Sequence, residues 1–262
     1  MKILCWLLMF FLPVSLLANE RIILKGVYQG SDIYVQNPFS GQGVSFCVFE
    51  VRVNGEITSD EVNSSAFVID LAVMGVKVGD EIEVVISHKK GCEPRVLNPE
   101  VLNPRSTFQI ETINISDNGI LKWTTVGESG ELPFYVEQFK WNKWVKAGEV
   151  MGVGTPDASE YEFQLEPHSG MNSVRVRQTD YRGESRTSPI VEFKGPDTAV
   201  SFAEEKTRDV VTFSGKTSYE IFDQYGNLVK KGYGKTIDVE DLEKGEYYLN
   251  YDRSFGETFK KR

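Results

Sequence analysis

The side chains able to do chemistry are few and far apart. Cysteine occurs three times, at Cys5, Cys47 and Cys92, and histidine twice, at His88 and His168. A metal centre built on Cys47, Cys92 and His88 would need a fourth ligand and the paired-cysteine spacing of zinc sites. His168 is the only other histidine and no such pair occurs, so this reading is set aside. Nucleophilic catalysis needs a hydroxyl or thiol beside a histidine base that a third group orients. His88 closes an alternating apolar stretch, and His168 lies in the turn-like Pro167-His168-Ser169-Gly170, neither inside a nucleophile motif. No glycine-rich phosphate loop precedes a helix-like segment. Carboxylates are abundant, but a two-acid glycosidase needs a deep cleft to set their separation, which small sandwiches seldom provide. The expectation is a chain that is not an enzyme and uses no metal or cofactor.

Two groups of residues retain a candidate role. Lys2, the apolar run 3–17 and the small Ala18 read as a signal peptide over 1–18, so the mature chain is expected to begin near Asn19. Cys5 sits inside that run without a cleavage context for lipid modification. An exported protein with two remaining cysteines most often oxidises them, which points to a structural Cys47–Cys92 disulfide. The second group is aromatic: Tyr135, Trp141 and Trp144, with Phe139, form either an exposed platform for a sugar or partner, or core. By strand alternation Phe139 and Trp141 share a face, with Trp144 following a turn at Asn142-Lys143.

Composition bounds the partners. A formal net charge of −9 opposes nucleic acid and anionic membranes, which need a positive field. No later segment approaches the ~20 apolar residues of a membrane helix, so no transmembrane segment is expected in the mature chain. With 40% hydrophobic and 12% aromatic residues, the chain can fill several compact cores.

The elements that must position these residues are strands. Apolar residues recur with period two, turn formers punctuate the pattern about every eight to twelve positions, and no helix is expected. The fold class is all-β, with tandem β-sandwich domains of immunoglobulin or fibronectin III-like type over 19–105, 106–195 and 196–262. In the first, strands are expected at 21–28, 33–36, 45–53, 66–71 and 81–88, with a hairpin turn at Asn54-Gly55. The proline-rich stretch 94–104 is expected to be a semi-rigid linker.

The second block carries Leu121-Lys122-Trp123 in a short strand, Tyr135-Val136-Glu137-Gln138, Trp144 before Gly148-Glu149-Val150, and Val174 through Tyr181 before Gly183. In that order these resemble a fibronectin type III domain. The third block carries Asp223, Gly226 and Asn227 in a turn before a return strand at 228–232 and a further piece at 236–239, then Leu242, Gly245 and Tyr247, and ends on the basic cluster Lys260, Lys261 and Arg262, whose simplest reading is a solvated tail. This resembles the type A C-terminal sorting domain of type IX secretion substrates in Bacteroidota. The Pro-Asn-Pro element that commonly opens such domains has no counterpart in 200–212. Asp197-Thr198-Ala199 is similar to the O-glycosylation tripeptide of the same bacteria, which would place a glycan on Thr198. The resemblance implies a non-catalytic periplasmic accessory or plug-like subunit of the type IX translocon. Its partner would be an outer-membrane translocon barrel, and it would sit in the periplasm or on the periplasmic face of the outer membrane. The alternatives are an exported adhesin or cargo at the cell surface, and a carbohydrate-binding module.

Overall fold

The computed structural model describes residues 20–41, 45–202 and 206–262, and the expected signal peptide lies outside them. Among the described residues the regular structure is strand throughout, save one 3-10 turn at Pro99–Leu102. No helix among them is long and apolar enough to cross a membrane. The chain divides into two compact units, one running to Lys77 and from Glu81 to Leu102, the other taking Val78–Asp80 and Asn103–Arg262.

The first unit is one sandwich. Its strands are β1 (Glu20–Val27), β2 (Ile33–Gln36), β3 (Val48–Val53), β4 (Glu56–Ile57), β5 (Ala66–Ile69), β6 (Glu81–His88) and β7 (Arg95–Val96). One sheet runs β1-β6-β3-β4 and the other β5-β2-β7. Alternation buries Ile82, Val84 and Ile86 of β6 against Ile33, Val35 and Ile69 of the facing sheet. Asn54 and Gly55, at φ 49° and 85°, make the expected tight turn from β3 to β4. Cys47 and Cys92, 45 positions apart in sequence, form a disulfide with Cα atoms 5.7 Å apart.

The stretch 94–104 is not a linker. Arg95 and Val96 pair with Gln36 and Val35, and the 3-10 turn drives Leu102 into the first core at 1% exposure. Gly26 permits this approach, because a Cβ there would lie 2.3 Å from the Leu102 carbonyl oxygen. The prolines end regular pairing without ending packing, since Val96, Val101 and Leu102 are apolar and the first core absorbs them.

The second unit holds two cores. The first of these is enclosed by β8 (Gln109–Ile115), β9 (Ile120–Val126), β10 (Pro133–Lys140), β11 (Lys143–Met151), β12 (Ser159–Gln164), β13 (Met171–Thr179), β14 (Ser185–Thr187) and β15 (Val191–Lys194). The sheet β12-β9-β8 faces the sheet β11-β10-β13, with β14 and β15 both pairing β13. This layout of two facing antiparallel sheets, three strands against five with the short β14 and β15 sharing one edge of β13, is fibronectin III-like. Trp123 fills the centre, stacked on Tyr161 at 5.3 Å and edge-on to Phe134 at 5.9 Å.

The last domain is β16 (Lys206–Thr207), β17 (Val210–Phe222), β18 (Leu228–Asp238), β19 (Gly245–Tyr251) and β20 (Ser254–Lys261), in the order β16-β20-β19-β17-β18. The short return strand expected at 228–232 and the piece at 236–239 are mostly one strand, β18, paired with β17 across a register break between Thr212 and Thr217. Its core gathers Val211, Phe213, Ile237, Leu249, Tyr251 and Phe259.

Candidate binding site

The sheet face around Tyr135 is the aromatic surface anticipated from the sequence, with one member missing. Tyr135, Glu137 and Phe139 alternate onto one face of β10. Arg177 and Arg175 on β13 stand opposite Tyr135 and Glu137, and Trp144 on β11 stands opposite Phe139. The buried Glu137 carboxylate accepts from Arg175 Nε at 2.8 Å and Arg177 Nε at 2.7 Å. The Arg175 guanidinium lies 4.1 Å from the Trp144 ring centre, and Lys146 and Arg177 lie 4.5 and 5.2 Å from that of Tyr135. Cations therefore cover these ring faces, each contact worth about 0.5–2 kcal/mol. A sugar stacking there would have to displace a guanidinium or ammonium.

Trp141 does not join that face. The turn between β10 and β11 is Trp141-Asn142, one residue earlier than the sequence suggested, with Lys140 paired to Lys143 across it. Both turn residues have positive φ, 54° and 57°, a conformation that costs a tryptophan about 1–3 kcal/mol. Its neighbours hold it there. Trp141 is 8% exposed, and its indole N–H donates to the Asp252 carbonyl at 3.1 Å.

Asp252 is the centre of this joint between the second and last domains. It sits in the β19–β20 turn at φ 45° and 3% exposure. Its carboxylate accepts from the Ser169 amide at 2.7 Å, the Ser169 hydroxyl at 2.5 Å and the Val200 amide at 3.1 Å. Its own amide donates to Thr217 Oγ1 at 2.9 Å. Lys143 adds an ion pair to Glu220 at 2.7 Å. Sequence reasoning missed Asp252 and Ser169, because each sits in an ordinary polar turn and nothing local marks their meeting.

Beside this joint opens a cleft of about 420 Å³. Phe163, Tyr219 and Tyr233 wall it, with Lys140, Trp141 and Glu220 deeper in. Lys140 is 9% exposed, its ammonium 5.0 Å from the Trp141 ring centre and with no hydrogen-bond acceptor among the described residues. Burial pushes it down to about 8, against the opposing pull of Glu220 and Asp252.

The residues of the sorting-like motif have structural tasks. The Asp223 carboxylate accepts from the amides of Tyr225 and Asn227 and from the Asn227 side chain, which holds its carboxyl below the usual range. Gly226, at φ 81°, closes that turn. Leu242 packs against the last core, Gly245 opens β19, and Tyr247 is buried with its hydroxyl donating to the Glu243 carbonyl. Lys260 is exposed, but Lys261 is not the solvated end residue expected of a basic tail. It is 6% exposed and its ammonium donates to the Arg208 carbonyl. Thr198 is exposed on the connector, next to an Asp197–Lys194 ion pair at 2.6 Å.

The histidines are occupied structurally. His88 Nδ1 lies 3.2 Å from the Lys89 carbonyl oxygen and His168 Nδ1 lies 2.8 Å from that of Ser169, while His168 Nε2 is buried without a partner. The two sulfurs considered for a metal are bonded to each other.

No family model and no curated protein matches the chain. Solved structures do show similarity. The tetra-tandem repeat in the extending region of a large adhesion protein shares 11% identity over 93% of this chain and 73% of its own, with a TM-score of 0.30. The chicken CNTN1 FN1-FN3 domains share 10% identity over 90% of each chain at 0.26. Fibronectin(III)-like modules of Clostridium thermocellum CbhA share 10% identity over 59% of this chain and 91% of theirs at 0.22. Scores of this size decide nothing about function, and the sandwich assignment rests on the chain's own strand pairing.

Proposed function

We propose that this chain is a non-catalytic binding protein, and more specifically a periplasmic accessory of the type IX translocon that engages an outer-membrane transport channel through a retained, cargo-like last domain. The observation carrying this reading is the Asp252 joint. A sorting signal that is cut away from cargo gains nothing from burying a carboxylate against its neighbour. A dock that must stay attached does, because the Ser169 amide and hydroxyl and the Trp141 indole would be left unsatisfied on separation. The motif residues that suggested a sorting domain build turns and core, so they support the shape of a cargo domain without supplying a cleavage site. The test is to tag the chain internally near Pro196 and purify it from native membranes and from culture medium. An intact chain ending in Lys261-Arg262, bound to an outer-membrane barrel, supports the accessory. A form outside the cell that has lost the last domain makes it cargo instead.

A further inference from the structure

The cleft beside the joint has a second property, which concerns backbone. Strand β11 ends the sheet β11-β10-β13, and β18 ends the sheet of the last domain, so among the described residues each has one edge that pairs with no other strand. Val145, Lys146 and Ala147 of β11 and Lys231, Gly232 and Tyr233 of β18 border the same opening. Consecutive residues of a strand point to opposite faces, so three in a row along a cavity bring the strand's edge to it as well as its side chains. β18 is long, 11 residues, and Ile237 is its only buried residue. Exposed edges of this length are normally blunted, and lysine is the usual device. Lys231 and Lys235 are exposed here, with no carboxylate between Leu228 and Ile237.

Edge protection explains lysines that reach into solvent. It does not explain Lys140, which is nine-tenths buried, lies within the cleft and lacks a hydrogen-bond acceptor. Glu220, the nearest deep carboxylate, is engaged by Lys143 at 2.7 Å. An ammonium held on a largely buried stem at the cleft wall, with no protein acceptor, gains from an acceptor that enters the cleft. An incoming carboxylate would satisfy it, and an extended backbone would satisfy the free edge.

We infer that the cleft binds an extended, acidic segment of a partner protein, which adds as a strand to the edge of β18 and places carboxylates against Lys140 and Lys231. This goes beyond the translocon reading and does not depend on it, since the chemistry names the segment and not its owner.

Protection of Lys140 from acetylation, read by mass spectrometry on the full chain, tests the inference without any substitution. The probe is a synthetic peptide of alternating glutamate and valine, about the length of β18. Controls are the same peptide N-methylated at alternate residues, an alternating lysine-valine peptide, and an acidic oligogalacturonate. The expected result is that the glutamate-valine peptide slows Lys140 acetylation at least about tenfold while none of the controls does. Equal protection by the N-methylated peptide would overturn strand addition. Protection by the oligogalacturonate alone would make the cleft a glycan site, and no protection by any probe would make the lysines edge protection only. Calorimetric titration adds a second measure: Lys231→Glu on the rim and Lys140→Met in the cleft should each weaken peptide binding by about tenfold, the scale of one charge-assisted contact. Unchanged affinity in both variants contradicts the assignment.

Discussion

The first and last domains are small β-structures that hold themselves together by different means. The first closes on itself: the Cys47–Cys92 disulfide ties the loop before β3 to the segment after β6, and the 3-10 turn packs Leu102 as a final plug. The last has no cysteine and places a buried carboxylate, Asp252, against the Ser169 amide and hydroxyl of the second domain. One domain adds to its own apolar core a bond that restricts its own unfolded chain. The other should be stable only in company. The contrast says where the molecule can be separated into parts and where it cannot.

The largest effect should come from Asp252→Ala, which strands the Ser169 and Val200 donors. We expect a loss of about 5 kcal/mol from the unfolding of the second unit, read by denaturant titration, because each orphaned buried donor costs about 1–3 kcal/mol. The first domain should be untouched. Reduction of Cys47–Cys92 should do the converse, removing about 4 kcal/mol from the first domain alone on the chain-entropy account. A shift of both transitions by either treatment would break the comparison. Leu102→Ala sharpens it from the other side. If 94–104 belongs to the first core, the first transition alone should fall by about 2–4 kcal/mol, whereas a linker residue would cost nothing.

The smallest expected effect is a pH dependence at Lys140. Its folded value, lowered to about 8 by burial, lies below the ordinary 10.5 of the unfolded chain. The unfolded chain therefore holds more protons between those two values, and stability contributed at this site rises with pH across that window. Below it the cost of the buried ammonium is fully present. Lys140→Met should raise stability at pH 7 by about 1–2 kcal/mol, with the gain shrinking as the pH approaches 10. A constant gain at every pH would assign the effect to packing.

The strands of the first two domains were legible because alternation and turn residues are local. Ile33–Gln36 and Glu81–His88 lie where the period-two pattern put them, and Trp123 sits in the strand assigned to it. The disulfide was legible from cysteine count and context. The joint was not. Trp141 reads as a strand residue until its positive φ is seen, because the sequence Lys140-Trp141-Asn142-Lys143 lacks the glycine that usually marks such a turn. Asp252 and Ser169, 83 residues apart, meet only once two domains have packed. The proline-rich 94–104 was misread because proline reports on backbone pairing, and the apolar side chains between the prolines report on packing. Lys261 was misread for a related reason: a terminal basic run looks solvated until β20 carries it beside Arg208.

The most direct test of the joint is amide hydrogen exchange in the full chain at Ser169, whose N–H donates to the Asp252 carboxylate across the second and last domains, and at Val200, which donates to the same carboxylate from the last domain. The account predicts protection comparable to that of the Val174 and Val176 amides in the adjoining core, lost selectively at Ser169 and Val200 in Asp252→Ala while those core amides keep theirs. Rapid exchange of Ser169 and Val200 in the unsubstituted chain would contradict it, and would leave the last domain a tethered module free to detach.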